Sequence, residues 1–129
     1  MVVSFARLEL RAAHSKSLKD RRRVVRSIQG KVFARFKIRV AEVGGHGWQS
    51  IEVGFAVVGT DNVFLEGLIE RVIRFVEMST DAELTAEFRD SVFYGNDAAF
   101  SQLALEHEQQ EREQQEREQQ EREQQRGAE

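Results

Sequence analysis

Six cations crowd one short stretch of the chain: Lys16, Lys19, Arg21, Arg22, Arg23 and Arg26. Clustered Lys and Arg side chains displace counterions from a phosphate backbone, so the chemistry they offer is anion capture rather than bond making. Stepping about 100° per residue around a helix from Leu18 places Arg22, Arg26, Lys19 and Arg23 between about 40° and 140°. The apolar residues Leu18, Val25, Ile28, Val32 and Phe36 centre near about 320° on the same wheel. Four cations therefore share one solvent face, with Lys16 just ahead of the helix. A plain solvated charge face is the alternative, although cations at a helix N-terminus oppose its dipole at about 0.3–1 kcal/mol each.

A second candidate is Val53-Gly54-Phe55-Ala56-Val57-Val58-Gly59-Thr60, which partly matches the RNA-recognition strand pattern of glycine, aromatic, small residue and aliphatic. Its Gly-Phe-Ala centre is present, but Val53 replaces the leading cation and Val57 and Thr60 replace aromatics. Base stacking needs several aromatic faces. Phe5 is on offer, and Phe55 joins it only if the strand register turns that ring outward. The competing register sends Ile51, Val53, Phe55 and Val57 into the core, and that is the expectation. Phe5, Arg7 and Trp48 together are the candidate interaction face, with Trp48 either an anchor for a partner or, the reading preferred, a ring folded over the sheet edge.

Other chemistries find no support in the spacing. The run Gly44-Gly45-His46-Gly47 joins two strands and opens no helix, so it reads as a turn and not as a phosphate loop. His14, His46 and His107 lack metal-ligand spacing, and no nucleophile and base pair up. No cofactor, metal site or enzymatic activity is expected. The chain has 129 residues, no cysteine and no proline, which removes disulfides and thiolate sites and suits a cytoplasmic setting. No apolar run approaches the roughly 20 residues of a membrane span.

The elements that must position these residues follow from periodicity. Val2, Ala6, Leu8 and Leu10 alternate with Phe5, Arg7, Glu9 and Arg11, the pattern of a half-buried strand. Ser17 with Asp20 forms an acidic variant of the capping box and starts a helix that Gly30 weakens. Ile38 to Val43 and Ile51 to Val58 read as strands of a long hairpin. Thr60-Asp61-Asn62 caps a second helix with a wide apolar face, and Leu84, Ala86 and Phe88 alternate with Thr85, Glu87 and Arg89 in a last strand. The order is the βαββαβ of the ferredoxin-like sandwich, an α+β fold with a four-stranded antiparallel sheet and two helices on one face. Such a fold does not decide function.

The formal net charge of -3 hides a division along the chain. Residues 1–39 carry 12 Lys and Arg against Glu9 and Asp20, whereas residues 40–95 are acidic. Residues 1–95 form the expected domain and 96–107 a linker, whose Phe100, Leu103 and Leu105 are candidates to dock back. From Glu108 the pentapeptide Glu-Gln-Gln-Glu-Arg recurs three times. This 108–129 tail has no apolar seam, and both a solvated helix and a disordered segment fit it. Glu108, Glu113 and Glu118 each precede an arginine by four residues, the favourable order for helical ion pairs.

Ser17-Leu18-Lys19-Asp20-Arg21-Arg22-Arg23, then Phe36, Ala41-Glu42-Val43, Trp48-Gln49, Val53-Gly54 and Ala56-Val57-Val58, resembles the YlxP-like family of small bacterial proteins. The resemblance covers nearly all of residues 1–93 and leaves the repeat tail outside. It implies a ferredoxin-like fold, a cytoplasmic bacterial protein and, because members are often encoded near translation-initiation and ribosome-maturation genes, a ribosome-associated role. It brings no catalytic residues with it. The expectation from the cations and the resemblance together is a non-enzymatic RNA- or ribosome-binding protein contacting phosphates through Lys16, Lys19, Arg22, Arg23 and Arg26. The rival expectation is a homodimer that buries its open sheet face.

Overall fold

The structure, a computed structural model, describes residues 1–95 and 98–128, the side chains of 98–102 excepted. Two compact units divide it, Met1–Phe93 and Tyr94–Glu129. The first is an α+β unit whose elements run β1 (Val2–Arg11), α1 (Leu18–Phe36), β2 (Ala41–Gly44), β3 (Ser50–Gly59), α2 (Asn62–Ser79) and β4 (Glu83–Phe93). Its four strands make one antiparallel sheet in the order β2-β3-β1-β4. The second unit contains α3 (Ala98–Gly127).

β1 lies in the middle of the sheet and sets its two faces. Val2, Ser4, Ala6, Leu8 and Leu10 are buried, and the residues between them are not. Antiparallel pairing passes this alternation to β3, where Ile51, Val53, Phe55 and Val57 are buried in turn. Phe55, only 6% exposed, faces the core opposite Ala6 and is no stacking ring for RNA. Val25, Ile28 and Val32 of α1 join the same core, as do Leu65, Ile69, Val72, Ile73 and Val76 of α2. Both helices therefore cover the face bearing the even residues of β1. Ser4 is the buried polar group in that row, and its hydroxyl pairs with the Ser91 hydroxyl across the strand at 2.8 Å. A hydrogen bond of this kind removes the penalty of an orphaned buried hydroxyl.

The first helix starts as its capping residues require. Ser17 is extended, its hydroxyl accepts from the Asp20 N–H at 3.1 Å, and the Asp20 carboxylate accepts from the Lys16 N–H at 3.0 Å. Gly30 does not break the helix. It sits on the exposed side, and a Cβ there would meet nothing within 4 Å. α1 ends at Lys37, a left-handed C-cap with φ of 58° whose N–H donates to the Phe33 carbonyl at 2.9 Å. That turn throws 38–40 back across the helix, with Val40 buried and its carbonyl accepting from Gln29 Nε2 at 3.0 Å. The strand expected from Ile38 therefore begins only at Ala41.

β4 departs from its expected alternation. A β-bulge shifts the register between Glu9 and Leu10, so Leu84 pairs with Leu10 but Ala86 pairs with Glu9. The extra residue, Thr85, donates its hydroxyl to the Glu9 carbonyl at 3.1 Å. A one-residue shift turns every later side chain to the other side of the sheet. Leu84 consequently packs on the core, while Ala86 and Phe88 face the open side. The strand also runs on to Phe93, because β1 continues to Val2 and pairs with it there.

In the second unit, residues 98–107, expected as linker, and the repeats lie within one helix. Asn96 and Asp97, where that linker was to begin, and the Phe100 side chain lie outside the described residues; Leu103 and Leu105 are exposed. Among the described residues of α3 the ion pair that forms is His107 with Glu111 at 3.6 Å, conditional on His107 protonation. The expected pairs of Glu108, Glu113 and Glu118 with arginine do not close, as befits fully exposed pairs worth only about 0.3–0.5 kcal/mol.

Gly30 generates a prediction. With open space around it inside a regular helix, Gly30→Ala is expected to raise unfolding stability by about 0.5–1 kcal/mol. Urea denaturation followed by circular dichroism measures this, and a lowered midpoint would show that the outer face is constrained by more than helix propensity.

Candidate nucleic-acid interface

Lys16, Lys19, Arg22, Arg23 and Arg26 are all exposed. None of them belongs to a salt bridge among the described residues. The helix begins where Ser17 and Asp20 cap it, so Lys19, Arg22, Arg23 and Arg26 fall in its first three turns on the side away from Val25, Ile28 and Val32. Asp20 is the acidic residue of the first turn, and its carboxylate is already engaged by the Lys16 N–H.

Other arginines are treated differently. Arg21, whose side chain is 15% exposed, reaches the β2–β3 hairpin: Nε donates to the Ser50 carbonyl at 3.1 Å and Nη2 to the Gly44 carbonyl at 3.0 Å. Nη2 also lies 2.7 Å from Glu42. Gly45 and Gly47 take positive φ values of 117° and 60° in this loop, and the Arg21 guanidinium fills the space beside Gly45 where a side chain would stand. Arg74 pairs with Glu70 and Glu87, each at 2.9 Å, and with Glu77, and Arg89 pairs with Glu70 and Glu87. Hydrogen bonds from Arg74 and then Arg89 hold the Glu70 carboxyl below the usual carboxylate range. Arg74 is raised chiefly by its bond to Glu70, and Arg89 chiefly by its bond to Glu87. Arg74 of α2 and Arg89 of β4 are thus neutralised by carboxylates, whereas Lys19, Arg22, Arg23 and Arg26 of α1 face solvent.

The second candidate face divides. Phe5, 40% exposed, and Arg7 stand on the open side of the sheet, Phe5 opposite Ala56 and Asp90, Arg7 opposite Gly54 and Phe88. The Arg7 guanidinium lies 4.7 Å from the Phe88 ring centroid, a cation–π contact, and Nη2 donates to Glu9 at 3.3 Å. Trp48 is not with them. It sits in the β2–β3 loop, beyond the Arg11 end of β1, and is 51% exposed instead of folded over the sheet edge. Its neighbour Gln49 explains this: the Gln49 carbonyl accepts from the Ala12 N–H at 2.8 Å and its side chain donates to the Ala13 carbonyl at 3.2 Å. Gln49 is the anchor, and Trp48 is left outside.

Two aromatic residues at these surfaces escape a reading based on charge runs. Phe88 reaches the open face only through the bulge. Phe33 lies at about 60° on the helical wheel, among the cations, and the same 100° step that grouped them would have found it. Among the described residues no group of three or more His, Cys, Asp or Glu could hold a metal ion. No described helix is long and apolar enough to cross a membrane.

The model of a family described as "Protein of unknown function (DUF503)" matches residues 3–88, from β1 into β4. The chain belongs to this family. It is also similar to the "Uncharacterized protein YlxP" of Bacillus subtilis (strain 168), with 29% identity over 85 residues that cover 65% of this chain and 92% of that protein. The YlxP-like resemblance seen in Ser17 to Arg23 and the strand motifs is thereby borne out, and the repeat helix lies beyond the matched residues.

Arg21 separates structural from free cations experimentally. Arg21→Ala leaves the Gly44 and Ser50 carbonyls without their donor, and is expected to cost about 1–3 kcal/mol of stability. Arg21→Lys, without the planar fork, should rescue little. Urea unfolding of both variants checks this; an unchanged midpoint in Arg21→Ala contradicts the tie.

Proposed function

We propose that this protein is a non-enzymatic RNA- or ribosome-associated binding protein that captures phosphate groups on the exposed face of α1. The observation that carries the reading is that Lys16, Lys19, Arg22, Arg23 and Arg26 have no salt-bridge partner among the described residues, in a chain that pairs Arg21, Arg74 and Arg89 with carboxylates. Positive charge held against both mutual repulsion and the helix dipole carries a cost that an anionic partner removes. Phosphate contacts position a protein without reading sequence, so affinity should be salt-sensitive and specificity modest. The element order of residues 1–93 and the sheet order β4-β1-β3-β2 support reading this unit as a ferredoxin-like fold. The absence of cysteine supports a reducing, cytoplasmic compartment.

A second reading, a homodimer, draws on a separate observation. Phe5, Val58 and Phe88 are large apolar residues exposed at 40%, 62% and 53%, and Val3, Phe5, Ala56, Val58 and Phe88 share the open face by register. An apolar face rimmed by charge is the usual mark of an association surface.

Each reading has its own measurement. For RNA, fluorescence anisotropy with structured ribosomal RNA over a salt series should give binding that falls steeply with salt. Replacing Lys19, Arg22, Arg23 and Arg26 by alanine should lower the log–log slope by about 1 per lost phosphate contact. Equal binding by the fourfold variant, or no salt-dependent binding by the wild type, defeats the proposal. For the homodimer, light scattering should find a dimer that Phe5→Glu dissociates; a monomeric wild type, or a dimer indifferent to that charge, removes it.

A further inference from the structure

The basic face of α1 does not end in cations alone. Phe33 lies about 100° around the helix from the buried stripe and close to the bearing of Arg22 and Arg26. Its ring is 41% exposed. Two cations reach it from beyond the helix end: Lys37 Nζ stands 5.4 Å from the ring centroid and Arg39 Cζ 5.1 Å from it. The backbone arranges this, because the left-handed turn at Lys37 reverses the chain and brings Arg39 and Val40 back beside Phe33. Glycine is the usual residue at such a turn, and here a lysine holds it and supplies an ammonium group to the ring.

Beside the ring is a hollow of about 390 Å³ lined by Gln29, Phe33, Arg39, Val40 and Ala41. Gln29 is held in place by donating its amide N–H to the Val40 carbonyl at 3.0 Å, and among the described residues its side-chain oxygen accepts no hydrogen bond. The lining of the hollow therefore includes a partly exposed aromatic ring, a planar guanidinium lying over it and an amide with an acceptor oxygen. A nucleobase matches all three: it stacks on aromatic rings and guanidinium planes, and its exocyclic amine donates to an amide oxygen. Arg26 lies seven residues and Arg22 eleven residues before Phe33, about 10 Å and 16 Å along the helix, where phosphates of neighbouring nucleotides would run.

We infer that Phe33, with Arg39 and Gln29, forms a stacking site for an unpaired nucleobase at the C-terminal end of the basic face. This rests on the phosphate-binding reading above and adds to it the class of RNA preferred. A base in a duplex hides both faces in its stack, so the site takes single-stranded segments, loops or ends. Every base has a π face, so the preference is for strandedness rather than sequence.

The test compares an unstructured RNA strand with a fully paired, blunt-ended RNA duplex of the same strand length, by anisotropy over a salt series with the full chain. Wild type should bind the unstructured strand more tightly. Phe33→Leu should weaken that binding by roughly 5- to 150-fold, the range of one lost stack, with the duplex affinity and both salt slopes unchanged. Phe33→Trp should keep the preference, and circular dichroism should show both variants folded. Salt-dependent binding that Phe33→Leu leaves equal for the unstructured strand overturns the stacking site alone. Wild type without salt-dependent binding to either RNA overturns it together with the phosphate-binding reading.

Discussion

The two-residue period of β1 is the constraint from which the rest of the folded unit follows. As the central strand it pairs along its whole length with β3 on one side and β4 on the other. Each neighbour inherits its division into a buried row and an open row. Leu8, Leu10, Ile51 and Val53 are at most 2% exposed because the alternation of both strands is in phase under the two helices. At about 25 cal/mol per Å² of apolar surface removed from water, that burial is the main force available to a chain without disulfides. The opposite face keeps Phe5 and Arg7 outward for the same geometric reason.

Electrostatics then distinguishes two uses of arginine. Where a guanidinium can bridge elements it is bound at several points, as Arg21 is to the hairpin and Arg74 to Glu70 and Glu87. Planar forks with five donors suit such ties. Among the described residues no carboxylate pairs with Lys19, Arg22, Arg23 or Arg26 on the outer face of α1, and the acidic residue of the first turn is occupied with capping. The same helix thus fastens the fold through Arg21 and holds Lys19, Arg22, Arg23 and Arg26 toward solvent.

Much of the candidate site was legible. The cation face needed only the position of Ser17 and a 100° step, because a capped amphipathic helix leaves little choice of which side meets the core. Phe55 went inward because it shares parity with Ile51, Val53 and Val57. The burial of Trp48 over the sheet edge failed because its exposure depends on Gln49, whose partners Ala12 and Ala13 are distant in sequence. Phe88 was beyond reach for a similar reason: an unbroken alternation within β4 carries no sign of the bulge that arises where it meets β1.

The sequence by itself determined the order and type of the elements from β1 to β4, the family, and the side of α1 that carries charge. These depend on local periods, caps and composition, which a single stretch of chain encodes. Tertiary structure alone decided which face of β4 carries Phe88 and where β2 begins. Each of those is set by pairing or chain reversal that joins residues from separate segments, and no local pattern contains the partner.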